Sequence, residues 1–341
     1  MGMGGQPVSA PVGVSSERLT ADDDLARLDE EIAQYNLEGH WKLIGGLPPE
    51  PAPFAKPYLW RWHDVRRLLW RAGEMRGIAG GASRRTVRLC TPGHGLKWTT
   101  PTIHASVQLV KPGEVAEAHR HSMGAFRLVL EGRGGYTTVE GEKLAMEPGD
   151  LILTPGWAYH DHGHDGDVPT IWIDVHDFPF TNHLGSIFYQ PYGRLQQPLR
   201  NAVPEKSPFV FKGRDTLVAL RAKGDDTRDP TMGITLDYRA PGGGASTLPT
   251  MACRLHRFSV GETTDRARQT ANSIFHVVTG KGRTRAGDVT LDWQQGDIFV
   301  MPGWTWHDHQ CAGDDGAILF SVSDEPILKQ FGLLRRETAP R

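Results

Sequence analysis

Two patterns of hydrophobic and polar positions divide the chain. Up to about residue 80, apolar positions recur at three- and four-residue steps. Leu25, Leu28, Ile32 and Tyr35 do so in one stretch, and Val65, Leu68, Leu69 and Ala72 in another. That spacing predicts two amphipathic helices. The first opens at Thr20 or Ala21, ahead of Asp22, Asp23 and Asp24, acidic residues that suit a helix N-terminus. The second spans His63 to Met75. Residues 1–20, rich in Gly, Ser, Pro and Val, read as a tail, and the proline-dense run Pro48 to Pro57 as an extended connector. From Arg85 onward, short runs of Val, Ile, Leu, Phe and Thr alternate with Gly, Pro and Asp. Such closely spaced short strands predict an all-β barrel or sandwich. A last helical stretch falls near Glu325 to Arg336.

The β region repeats itself. Pro101-Thr102-Ile103 returns 148 positions later as Pro249-Thr250-Met251, and Gly113-Glu114 as Gly261-Glu262. After one deletion the offset is 147. Gly149-Asp150 then matches Gly296-Asp297, Pro155-Gly156-Trp157 matches Pro302-Gly303-Trp304, and His160-Asp161-His162 matches His307-Asp308-His309. The period is far longer than that of a solenoid, so these are duplicated domains. The implied organisation is a helical extension over 1–84, one barrel over 85–180, a linker over 181–208, a second barrel over 209–325 and a tail over 326–341.

Composition narrows the function. Lys and Arg number 38 against 40 Asp and Glu, and this lack of a basic surplus argues against a nucleic-acid partner. No apolar run approaches a membrane span, and the first residues do not read as a signal peptide. The 3 cysteines are too few and scattered for a disulfide framework, which fits a reducing cytoplasm.

The 15 histidines cluster. His119 and His121 sit at i and i+2 on a predicted strand, so both imidazoles project from one face. Behind the Gly149-Asp150 turn and the Pro155-Gly156 turn, His160 enters the next strand and can join them. Three neutral imidazoles suit Zn, Cu, Fe or Ni, and three protein ligands leave coordination positions open. His162 shares the face of His160 and reads as a hydrogen-bonding partner or a substrate contact; His164, near a Gly/Asp loop, reads as solvent-exposed. In the second copy Ala267 and Gln269 stand where His119 and His121 would be. One metal per chain is therefore expected, with the second barrel structural. Its retained Trp304, His307, Asp308 and His309 then reflect inherited packing.

The segments Gly113 to His121 and Gly149 to His160 resemble the two motifs of the cupin superfamily. They differ in lacking its usual glutamate, for which Ala125 or Phe126 stands, and in having Trp157 where the motif has glycine. The longer strings His119 to Arg127, Glu131-Gly132-Arg133-Gly134, Pro148-Gly149-Asp150 and Trp157 to Gly163 resemble the gentisate 1,2-dioxygenase family, over roughly Leu25 to Glu325. The resemblance implies a mainly β bicupin with an N-terminal helical extension. It also implies one Fe(II) per chain, a 2-hydroxybenzoate-type substrate, O2, ring opening between the carboxyl- and hydroxyl-bearing carbons, and a homotetramer. No Gly-x-Gly-x-x-Gly follows a strand, so neither flavin nor nicotinamide is expected.

Other candidates follow from strand parity. Arg127 should enter the cavity, where a guanidinium needs an anion: a substrate carboxylate, or an internal salt bridge. The second copy has Phe275 there. His162 can hydrogen-bond substrate or act as acid/base. Gln108 and His104 share parity on an earlier strand. His104 departs from the aromatic Tyr or Trp that the resemblance leads one to expect, which leaves room for a nitro- or halo-substituted salicylate in place of gentisate. Arg84 and Arg85 match a basic pair of the family and either close over the substrate or lie at a subunit contact. Two rival readings are another tri-histidine cupin oxygenase and a non-catalytic bicupin that binds aromatic acids.

Overall fold

The computed structural model describes residues 16–43, 48–75, 85–95, 97–240 and 244–340. Residues 1–50 and 51–341 are separate units. In the first, the helix Ser16–Ala33 is followed by the single turn His40–Leu43. The anticipated apolar face is not buried there: Leu25, Leu28 and Tyr35 are exposed, and Tyr35 lies beyond the helix end.

In the second unit the helix Trp62–Glu74 buries Val65, Leu69 and Gly73, an i, i+4, i+8 stripe, while Leu68 faces outward. Two β barrels follow. The first is built on a nine-stranded sheet in which Ala125–Val139 and His160–His176 pair along their whole length. The second uses a seven-stranded and a five-stranded sheet. Its main pairs, Ala252–Phe258 with Ala317–Ser323 and Ser273–Thr279 with the same strand, repeat the pattern of the first. One apolar core runs through both barrels and includes Leu69, Leu109, Phe126, Leu151, Tyr238, Leu248, Phe320 and Val322.

The barrels exchange their leading strands. Tyr58–Trp60 precedes the first barrel yet pairs with Ile298–Met301 of the second. Val210–Phe211 precedes the second yet pairs with Leu151–Thr154 of the first. The Gly-Asp turns, Gly149-Asp150 and Gly296-Asp297, lock this exchange. Asp297 accepts from the Trp62 amide (2.9 Å) and the Arg61 guanidinium (2.8 Å). Asp150 accepts from the Gly213 amide (2.9 Å) and from Lys212. Each aspartate thus caps the helix that follows the lent strand, Trp62–Glu74 or Gly213–Ala222. The duplicated unit therefore starts upstream of the sequence repeat.

The C-terminal segment differs from the expected helix. Glu325–Gln330 is a short helix, after which Arg336–Ala339 pairs as a strand with Arg266–Gln269. Among the described residues no helix is long and apolar enough to cross a membrane.

Candidate metal and substrate site

His119 and His121 stand on the strand Val115–His121, and His160 opens His160–His176; His119 and His160 are register partners. One ring nitrogen from each lies within 4.8 Å of the others. The backbone sets which nitrogen. His119 Nδ1 donates to Glu117 O (2.7 Å), His121 Nδ1 to Met123 O (2.8 Å) and His160 Nδ1 to Ala158 O (3.0 Å). With Nδ1 carrying the proton, each Nε2 presents a lone pair. Burial keeps all three below the usual histidine range, His121 at about 4, so they are neutral at pH 7. His160 Nε2 is buried and has no hydrogen-bond partner. An orphaned buried acceptor is costly, and a divalent d-metal would satisfy it together with the other two. The residues present fit such an ion.

His119 and His121 line a cavity of about 530 Å³, enough for one substituted aromatic ring. His104, Gln108, Arg127 and His162 all line it. Arg127 is 4 % exposed; it donates to Thr154 Oγ1 (3.0 Å) and pairs loosely with Asp174 at 3.7 Å. Burial works against its charge and Asp174 favours it. His162 Nδ1 lies 2.9 Å from Thr137 Oγ1, and burial with the nearby Arg127 holds it neutral. His104 accepts the Thr99 amide at Nδ1 (3.2 Å), and burial drives it down to about 3. Its proton therefore sits on Nε2, which is buried and has no partner. Its ring contacts Trp98 and His176, at 5.2 and 5.4 Å between centroids, and Phe178 completes that wall.

Some expectations do not survive. Arg85 does not line the cavity, because its guanidinium is spent on Glu114 at 2.5 Å. Arg84 lies outside the described residues. His164 is not solvent-exposed: it is 3 % exposed, and Val168 O, the Gly166 amide and Thr170 Oγ1 surround its nitrogens.

The sequence reading missed Arg88, Trp98, Asp174 and His176 in the lining. Asp174 and His176 were within reach. They alternate with Trp172 on one strand and lie opposite Arg127 and His104 in register. Tyr189 was also missed; its ring stacks on that of His119 at 4.8 Å.

In the second barrel Ala267 pairs with His307 as His119 does with His160. His307 Nδ1 donates to Thr305 O (2.9 Å) and His309 Nδ1 lies 2.8 Å from Thr284 Oγ1, so both keep the geometry of their counterparts without the missing imidazoles.

These features define a bicupin with a three-imidazole site in one barrel. The cupin domain family model matches residues 106–176 and 254–323. The chain is 35 % identical over 338 residues to a 5-aminosalicylate 1,2-dioxygenase from Comamonas sp, covering 92 % of this chain and 90 % of the relative. It is 33 % identical over 347 residues to a gentisate 1,2-dioxygenase from Streptomyces sp, covering 90 % and 94 %. The crystal structure of salicylate 1,2-dioxygenase from Pseudaminobacter salicylatoxidans is similar with a TM-score of 0.84 and 28 % identity, covering 98 % of this chain and 99 % of that one. The chain belongs to the gentisate 1,2-dioxygenase family of ring-cleaving bicupin oxidoreductases.

Proposed function

We propose that this protein is an Fe(II)-dependent dioxygenase that opens a 2-hydroxybenzoate, gentisate or a 5-substituted salicylate, between the carboxyl- and hydroxyl-bearing carbons. The reading is carried by one observation: three neutral imidazoles lie within 4.8 Å of one another, and two of them, with a buried arginine, line a cavity with room for one ring. His119, His121 and His160 would hold one iron per chain. Bound Fe(II) supplies the redox path between an electron-rich ring and O2, and both oxygen atoms enter the product as the carbon–carbon bond breaks.

The protein side chains do the rest. Arg127 binds the substrate carboxylate with the N–H groups that Asp174 leaves free, which fixes the ring's orientation. Gln108, on the far side of the strand His160–His176 from Arg127, lines the same cavity and contacts the same anion in this reading. Neutral His162 can take the phenolic proton of the bound substrate. His104 Nε2–H is a donor with no protein acceptor. It favours a substrate whose ring carries a hydrogen-bond acceptor such as hydroxyl, nitro or amino. The relatives named for gentisate and 5-aminosalicylate support that class. No flavin or nicotinamide takes part in this scheme.

Exposed Leu184, Tyr189, Leu195 and Leu199 support a homo-oligomer, a tetramer by the family's pattern. Three free cysteines suit the cytoplasm.

Oxygen uptake by protein loaded anaerobically with Fe(II) tests the proposal, with gentisate, salicylate, 5-aminosalicylate, 5-nitrosalicylate, 5-chlorosalicylate and 1-hydroxy-2-naphthoate. Uptake matched by loss of the aromatic absorbance supports it. Iron-loaded protein that consumes no oxygen with any of them overturns it. Light scattering and a fractionation blot test the assembly and the compartment.

A further inference from the structure

The second barrel has no imidazole trio, yet one of its hydroxyls is tied to the trio of the first. Thr250 Oγ1 donates to Asp177 Oδ2 at 2.5 Å across the barrel boundary. The other oxygen, Asp177 Oδ1, accepts the Gly124 amide at 3.1 Å, and the Asp177 amide donates back to Gly124 O at 3.3 Å. Gly124 is thus clamped from both sides. The residue before it, Met123, supplies the carbonyl that takes the proton of His121 Nδ1 at 2.8 Å. Asp177 is 4 % exposed, and its chain neighbours His176 and Phe178 both line the cavity.

We propose that Thr250 and Asp177 are positioning residues for His121: the second barrel sets the loop 122–124, and that loop aims the imidazole. A hydrogen bond to the far nitrogen of a ligating histidine fixes its tautomer and its ring orientation. Here the acceptor is a backbone carbonyl, so its position is only as firm as the loop that carries it. Loss of the Thr250 hydroxyl would release one side of the carboxylate that holds this loop.

The duplication supplies an internal control. Asp324 stands where Asp177 does in the first barrel. It accepts from the Asn272 amide (2.7 Å) and side chain (2.7 Å), and from Thr102 of the first barrel. The same clamp therefore acts in the opposite direction, on a loop that follows Gln269 and not a candidate ligand. Thr250 and Thr102 are matched as barrel-to-barrel contacts and differ in what lies at the far end.

The inference rests on the metal reading of the trio, and one experiment separates the two. Metal-free full-length protein is titrated with Fe(II) anaerobically against a competing chelator, for wild type, Thr250→Ala, Thr250→Ser and Thr102→Ala. Melting temperature and the spectrum of the Fe(II)–nitric oxide adduct are recorded alongside. A loss of affinity of about tenfold is expected for Thr250→Ala, with an altered adduct spectrum. Thr250→Ser should restore both, and Thr102→Ala should lower the melting temperature comparably while leaving affinity and spectrum unchanged. Equal affinities for the two alanine variants would overturn the positioning role. Wild-type protein that binds no iron would overturn the metal reading itself. Should Thr250→Ala fail to fold, the isosteric pair Thr250→Val and Thr102→Val, which also lack the hydroxyl, carries the same comparison at the level of the adduct spectrum: a change confined to Thr250→Val supports the role, and identical spectra overturn it.

Discussion

Arg127 and Asp174 are register partners on adjacent strands, with guanidinium and carboxylate 3.7 Å apart. In the second barrel the same two places hold Phe275 and Ser321, so the charges are present together or absent together. The carboxylate keeps a buried cation tolerable in the empty cavity, and its loose contact leaves the guanidinium able to engage a second anion. Replacing Asp174 with Asn should destabilise the ligand-free protein by about 3 kcal/mol, since it strands a buried charge. A substrate carboxylate then becomes the only counter-charge. Salicylate should therefore raise the melting temperature of Asp174→Asn more than that of wild type. An equal or smaller rise would show that Asp174 does not compete for Arg127.

Arg127→Met should lower kcat/KM about 100-fold or more, the equivalent of about 3 kcal/mol for a charge-assisted contact to the substrate. Oxygen-uptake kinetics measure this, and the variant should bind iron normally. A variant that loses iron with its activity would place Arg127 in the metal shell instead.

Acid should unfold the metal-free protein through its buried imidazoles. Burial lowers His104 and His256 to about 3 and His276 to about 4. Each folded value lies below the unfolded one of 6.5, so the unfolded chain binds more protons. The stability from these groups is complete above pH 6.5 and is lost as pH falls, by at most about 1.4 kcal/mol per pH unit per group. Asp324 acts in the opposite sense, because burial raises it to about 6: its contribution is present at low pH and lost as pH rises from about 4 to 6. Urea unfolding at pH 7, 6 and 5 should show falling stability, and the fall should be steeper in Asp324→Asn. A flat profile in wild type would contradict the assignment of neutral buried histidines.

The second barrel should regain a metal. Ala267 and Gln269 both line its cavity of about 290 Å³, and His307 already holds its ring by Nδ1. The double variant Ala267→His/Gln269→His should raise bound divalent metal from one ion per chain to two, counted by elemental analysis. With Phe275 in place of an arginine, the added ion should bring no second catalytic unit. A ratio that stays at one would mean that the strand Arg336–Ala339, paired along this edge, prevents the rings from converging.

Trp157 adopts φ 72° and Trp304 φ 59°, a left-handed backbone that suits glycine. Both amides nevertheless make short bonds, to His121 O at 2.8 Å and to Gln269 O at 2.6 Å. The Trp157 ring stacks on Phe188 at 4.0 Å. Trp157→Gly and Trp157→Ala lose the ring equally, but only glycine relieves the backbone. Glycine should therefore be more stable than alanine by about 1 kcal/mol, the reverse of their usual order. Thermal unfolding of the pair checks this.

Much of this molecule is legible in its residues. The duplication shows because turn glycines, Asp150 and Asp297, and the Pro-Gly turns recur at a fixed offset. The imidazole trio shows because strand period and turn spacing aim three side chains at one point. What escapes depends on distant partners. Nothing near Arg85 announces that Glu114 will neutralise it, and nothing near His164 shows that Val168 and Thr170 will enclose it. Leu68 satisfies the helical period but lies one step off the buried stripe. Tyr58–Trp60 is too short to show alternation, and its place is set by Phe299 and Val300, more than two hundred residues away.

That exchange of strands governs how the protein is made and how it can be divided. A ribosome that has released only the first barrel has produced a sheet whose edge at Leu151 and Ile152 is still bare, and a spare strand whose dock does not yet exist. Neither half is a finished object. Cleaved within the surface stretch before Val210 and expressed as two polypeptides, the halves should be insoluble apart and recombine when produced together, each completed by a piece the other carries.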